Sequence, residues 1–179
     1  MTKLKNRPLF STRGFIWRQV AQVFALVLLL SSGPAQAQEW ILGAGYTDFT
    51  DRAAADSGQL SLEYRHSPFF SQGRFDVAAA ASAVATFEGD LFLGGGLSGR
   101  YNVPNGWFVE LSVMPGVFME GVSVNDLGSA FEIRSLLGVG FALNDRDSLS
   151  LAITHKSNAS TSSRNPGVNS LVLRYHRAF

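Results

Sequence analysis

From Glu39 to the C-terminus, apolar and polar residues alternate with a period of two, and no segment sustains a helical period. Successive side chains of a β-strand point to opposite faces, so this pattern commits the chain to strands with one apolar and one polar face. Eight such runs are legible, at about 39–48, 59–67, 73–86, 90–102, 106–117, 129–143, 147–157 and 168–179. Most of the prolines and many of the glycines fall between the runs or at their ends, as turn chemistry requires. In the second run Leu60, Leu62 and Tyr64 oppose Ser61, Glu63 and Arg65. In the sixth, Phe131, Ile133, Leu137, Val139 and Phe141 oppose Glu132 and Arg134, and the last sets Leu171, Leu173, Tyr175 and Phe179 against Arg174 and His176.

A soluble sandwich or a lipocalin-like barrel also alternates, but turns its apolar face inward. Two features favour a membrane barrel with that face outward. The runs are near the roughly 9–11 residues that a tilted transmembrane strand needs. The opposite faces carry charges of both signs (Glu63, Arg65, Asp76, Arg100, Glu110, Glu132, Arg134, Arg174), a set able to pair within a narrow lumen. Backbone polar groups in lipid must all be satisfied, so such a sheet has to close on itself. The expected fold is all-β, an eight-stranded antiparallel transmembrane β-barrel over 38–179, with its interior filled by side chains. The final Phe179 resembles the terminal aromatic of bacterial outer-membrane strands. An even strand count puts both termini on one side; with both periplasmic, strand 7 runs outward and the 158–167 connection lies at the cell surface.

The N-terminus follows a different pattern. Residues 1–18 carry Lys3, Lys5, Arg7, Arg13 and Arg18 and no acid, followed by the apolar stretch 20–30 and then Ser31-Ser32-Gly33-Pro34-Ala35-Gln36-Ala37. A basic region, a short apolar region and a small-residue Ala-x-Ala site predict a secretory signal peptide over 1–37, cut after Ala37. The apolar stretch is shorter than the roughly 18 residues of a spanning helix. Removing 1–37 takes five basic residues and no acid from the 15 basic and 14 acidic of the whole chain, leaving a net charge of −4. That balance gives no reason to expect nucleic acid as a partner. The absence of cysteine excludes a disulfide framework, a Cys-ligated zinc and a thiol nucleophile.

The seventh run places Leu149, Leu151 and Ile153 on the apolar face, and the same parity continues to His155 and Ser157. In the eighth, the parity of Leu171, Leu173 and Tyr175 extends back to Asn169. A histidine, a serine and an asparagine therefore project from the outer wall near the surface end of two neighbouring strands. Polar groups there are costly unless partnered. A serine hydroxyl becomes a nucleophile when an imidazole takes its proton and a third group fixes the imidazole tautomer. Residues i and i+2 of a strand point the same way, about 6.5–7 Å apart, and the third group can come from the adjacent strand. The same residues would also suit the headgroup zone, where polar side chains are ordinary.

The segment His155-Lys156-Ser157-Asn158-Ala159, followed by Asn165-Pro166-Gly167 and the last strand, resembles the H-x-S-N-A segment of the PagL-type lipid A 3-O-deacylases. The resemblance is sharp over about 155–179 and follows the strand plan loosely over 39–154. It implies an eight-stranded outer-membrane serine esterase with its active site on the outside of the barrel. Ser157 would be the nucleophile and His155 the general base, and the backbone amides of Asn158 and Ala159 would serve the oxyanion. The implied substrate and partner is lipopolysaccharide, through the ester-linked 3-hydroxyacyl chain at position 3 of lipid A. The resemblance further implies a homodimer and no metal or cofactor. One departure matters: fourteen residues beyond the histidine, the founding pattern has a glutamate to orient it, and this chain has Asn169. An amide can accept the imidazole N–H but brings no charge, and the corresponding change in a Ser-His-Asp triad costs about 10⁴ in turnover. Two outcomes follow: a deacylase with a weaker or different third member, or a non-catalytic barrel with a structural or binding role. Ser135 on the same face is no acid, and Glu132 should face the lumen.

Other motifs carry less. Gly94-Gly95-Gly96-Leu97-Ser98-Gly99 matches G-x-G-x-x-G but has strand parity and no helix after it, so its glycines are expected to relieve crowding in the lumen. No G-x-S-x-G elbow is present. His66, expected at a strand end, and His176, expected in the lumen, read as structural.

Overall fold

The computed structural model describes residues 38–49 and 53–179; the predicted signal peptide over 1–37 lies outside the described residues. Eight strands follow in order: β1 (Glu39–Phe49), β2 (Ser57–Gln72), β3 (Phe75–Thr86), β4 (Leu91–Asn102), β5 (Trp107–Met119), β6 (Phe131–Ala142), β7 (Asp147–Ser157) and β8 (Val168–Ala178). Each pairs antiparallel with the next, and β8 pairs with β1 to close the barrel. No strand edge is left open among the described residues, as the cost of unpaired backbone in lipid demands. At one end the connections are 73–74, 103–106 and 143–146; the other end carries 50–56, 87–90, 120–130 and 158–167. Short turns face the periplasm in such barrels and longer loops face outward.

The alternation is realised as expected. Leu137, Ile153 and Leu171 stand exposed on the outer wall, the last two 63% and 54% exposed, whereas Arg134, Arg174 and His176 are buried inside. Several of the lumen charges find partners, although the buried Glu132 carboxylate has no hydrogen-bond partner among the described residues. Arg174 bridges Glu63 and Glu110, Arg134 lies 3.4 Å from Glu63, and Arg100 pairs with Glu39. A buried charge without a partner would cost several kcal/mol, so these pairs offset much of the cost of a polar lumen. The glycine run of β4 relieves crowding: a Cβ added at Gly94 would lie 2.5 Å from the Phe92 ring. At the outer end Val84, Phe92, Phe118, Leu127 and Val168 form an apolar plug.

One element departs from expectation. Ser67 and Pro68 mark a turn in the sequence, yet β2 runs on to Gln72. Proline cannot donate to the ladder, but the pairing with β3 shifts register on both sides of Pro68, and these irregularities absorb it. The turn shrinks to Gly73 and Arg74. His66 therefore lies within β2 rather than at its end, half-buried, with its ring edge-on to Tyr64.

Candidate active site on the outer wall

Strand β7 carries the cluster. Its residues point alternately out and in, so exposed His155 and half-exposed Ser157 flank Lys156, which is buried. Lys156 acts as an inward anchor between them: its Nζ lies 5.0 Å from the centre of the Phe118 ring and 5.7 Å from that of Phe92. Across the sheet His155 is directly opposite Asn169 on β8 and Ser135 on β6, and Ser157 is opposite Ile133.

His155 Nδ1 lies 2.8 Å from Asn169 Oδ1. A carboxamide oxygen only accepts, so the imidazole donates from Nδ1 and keeps its lone pair on Nε2. That is the tautomer a general base needs toward a hydroxyl two residues along the strand. The histidine, serine and asparagine of the sequence are thus brought to one place on one face. The ring has a wall behind it: Gly167, at φ +70°, sits so close that a Cβ there would lie 3.0 Å from His155 Cε1.

The chain turns sharply after Ser157. Ala159 and Ser160 both adopt left-handed backbone, at φ +51° and +62°, and the Thr161 amide donates to the Asn158 carbonyl to close the turn. Each such residue without glycine's freedom costs about 1–2 kcal/mol and persists only where its surroundings fix it. The fixing group is the Asn158 side chain, which is fully buried. Its Nδ2 donates to the Leu127 carbonyl at 3.1 Å and the Arg164 carbonyl at 2.7 Å, stitching the 120–130 loop to the 158–167 loop. The 120–130 loop is itself held by Asp90, which accepts from Asn125 Nδ2 and from the Gly121 amide, both at 2.8 Å. None of these ties is visible in the sequence, where Asn158 suggested only a backbone role.

The Asn158 amide, expected to serve the oxyanion, donates to Asn165 Oδ1 at 3.0 Å. Because Asn158 holds two loops, Asn158→Ala should loosen both. Loss of two buried hydrogen bonds is expected to cost about 1–3 kcal/mol of local stability, read as faster proteolytic nicking within 120–130 and 158–167 with the barrel itself intact.

A second serine–histidine pair lies in the lumen. Ser150 Oγ is 2.8 Å from His176 Nε2, and His176 Nδ1 is 3.3 Å from Glu39 Oε2. The likeness to a triad is superficial. Ser150 donates its proton to Glu110 Oε1 at 2.6 Å, and all four side chains are buried among the ion pairs, out of reach of any substrate. His176 is structural, as expected. Among the described residues no cluster of three or more His, Cys, Asp or Glu could hold a metal ion.

Below the site the outer wall is apolar. Four residues down β8 from Asn169, about 13 Å along the strand, an open groove of about 390 Å³ runs between Leu42, Leu60, Leu149, Leu173 and Tyr175 over a floor of Gly43 and Ala44.

The fold has solved counterparts. The crystal structure of the outer membrane enzyme PagL superposes with a TM-score of 0.63 at 19% identity, covering 79% of this chain and 99% of that one. De novo designed transmembrane β-barrels give 0.55 at 7% identity, over 82% and 98%. Neisserial surface protein A gives 0.53 at 9% identity, over 80% and 96%. No curated protein matches in sequence. The family model for lipid A 3-O-deacylase (PagL) matches residues 46–178, most of the chain and every residue of the outer-wall cluster described above. With the closed eight-stranded barrel, that match makes this chain a bacterial outer-membrane protein of the PagL lipid A 3-O-deacylase family.

Proposed function

We propose that this chain is a serine esterase that removes the ester-linked 3-hydroxyacyl chain from position 3 of lipid A. The observation that carries this reading is the contact of His155 Nδ1 with Asn169 Oδ1, made on the lipid-facing wall two residues from Ser157. A headgroup-zone decoration needs no such tie, whereas a general base does.

In the first step Ser157 Oγ attacks the acyl carbonyl carbon while its proton passes to His155 Nε2. The carbonyl π pair moves onto oxygen, opposite the Ala159 amide. The oxyanion then collapses, the sugar oxygen leaves, and His155 returns the proton to it, giving an acyl-serine. Water, deprotonated by His155, repeats the sequence and frees the fatty acid and Ser157. Position on the wall suits this substrate, because the ester of an outer-leaflet lipid lies at the depth of the β7 and β8 outer ends. The apolar groove between Leu42, Leu60 and Leu173 offers a hydrocarbon chain a place along the wall. We further propose that residues 1–37 direct export and are removed before the barrel forms. A homodimer is an additional proposal from the resemblance, checked by cross-linking in native membranes.

The test is mass spectrometry of lipid A from cells producing the protein. Loss of one 3-hydroxyacyl chain is expected with the wild type and not with His155→Ala. Unchanged lipid A in cells that carry folded wild-type barrel would favour the non-catalytic alternative.

A further inference from the structure

Asn169 has a second neighbour. The closed barrel places β1 on the other side of β8, and its register sets Asp48 directly opposite Asn169, as β7 sets His155 opposite it. Opposed residues of antiparallel strands share a face, and Asp48, Asn169 and His155 are all exposed on the outer wall. Along β1 the outward residues are Trp40, Leu42, Ala44 and Tyr46, so the acid interrupts an apolar run in the one row that holds the imidazole. The Asn169 carboxamide has two arms. Its Oδ1 takes the His155 N–H, and its Nδ2 is a two-hydrogen donor whose natural complement is a carboxylate.

We infer that Asp48 is a positioning residue for the esterase proposed above, supplying through the Asn169 carboxamide the negative charge that Asn169 lacks. In this arrangement Nδ2 of Asn169 would donate to Asp48 while Oδ1 accepts from His155, giving a His–Asn–Asp row over three adjacent strands. The row acts when Ser157 passes its proton to His155 and the ring becomes imidazolium. The carboxylate then lies two strand spacings away, about 10 Å. At an effective dielectric near 20, attraction over that distance is worth about tenfold in turnover. The inference rests on the esterase reading, and its test separates the two.

Purified wild type, Asp48→Asn, Asp48→Glu, Asn169→Glu and the double variant Asp48→Asn/Asn169→Glu are compared on lipid A in detergent micelles, each checked for heat-modifiable gel migration. Asp48→Asn is expected to lower kcat about tenfold with KM unchanged, and Asp48→Glu to keep most of the activity. The double variant is expected to recover at least wild-type turnover, because the carboxylate that Asn169→Glu introduces lies directly against the imidazole. Wild-type kcat in Asp48→Asn would overturn the inference and leave the esterase reading standing. So would a change confined to KM, or a double variant that stays slow where Asn169→Glu alone is fast. A folded wild type without activity would overturn both.

Discussion

Ser157→Ala is expected to remove lipid A deacylation to within the background of the assay, a loss of about 10³ or more in kcat. The magnitude follows from what the third member contributes. In hydrolases with a complete Ser-His-acid triad, loss of the serine costs about 10⁶ in kcat. An amide in place of the acid already forfeits up to about 10⁴, which would leave only about 10² between wild type and the serine variant. The Asp48 carboxylate in the same row returns about tenfold of that, so about 10³ is the smallest drop consistent with both readings. With Ser157 and His155 acting as the proposed unit, His155→Ala should be about as inactive, and the double variant no worse than either. Ser150→Ala, which breaks the buried Ser150–His176 contact in the lumen, should leave deacylation at the wild-type level. Rates are read by release of free 3-hydroxy fatty acid from purified lipid A. Retention of more than a tenth of wild-type turnover by Ser157→Ala would exclude the hydroxyl as nucleophile.

The barrel was legible because its physics is local. Alternation at Leu60-Ser61-Leu62-Glu63 reports a two-faced strand wherever the strand ends up, and closure follows from the cost of open edges in lipid. Parity also put His155, Ser157 and Asn169 on one face, since each continues the parity of a clear run of outward leucines or isoleucine. What stayed hidden depends on pairing across the barrel or between loops. Pro68 reads as a turn until the register of β3 shows how the ladder steps around it. Asp48 ends a strand whose outward parity is plain from Trp40 to Tyr46, but its relation to Asn169 exists only because the first strand closes on the last. Reading β1 and β8 together as neighbours of a closed sheet would have found it. No periodicity could report that Asn158 is swallowed by the 120–130 loop, or that its amide is held by Asn165.

Gly167→Val is expected to lower kcat about 10² while the barrel still folds and still binds lipid A. Gly167 precedes β8 at φ +70°, a conformation that a β-branched residue hardly adopts. Even without that strain there is no room. The first carbon of a side chain would lie 3.0 Å from His155 Cε1, 3.5 Å from Nε2 and 3.4 Å from the Lys156 carbonyl, closer to the ring than ordinary contact. The ring cannot simply move aside, because Nδ1 is tied to Asn169 at 2.8 Å. It must tilt instead, and the tilt displaces Nε2, the nitrogen proposed to take the serine proton. Misplacing a reacting atom by about 1 Å costs about 10² in rate. The groove that would hold the acyl chain is several residues away along β8, so KM should change little. Gly167→Ala, with no γ-carbons, grades the effect: a loss between wild type and valine shows that side-chain bulk against the imidazole sets the rate. If valine keeps more than half of wild-type kcat, the imidazole is not positioned by this wall, and Asn169 alone orients it.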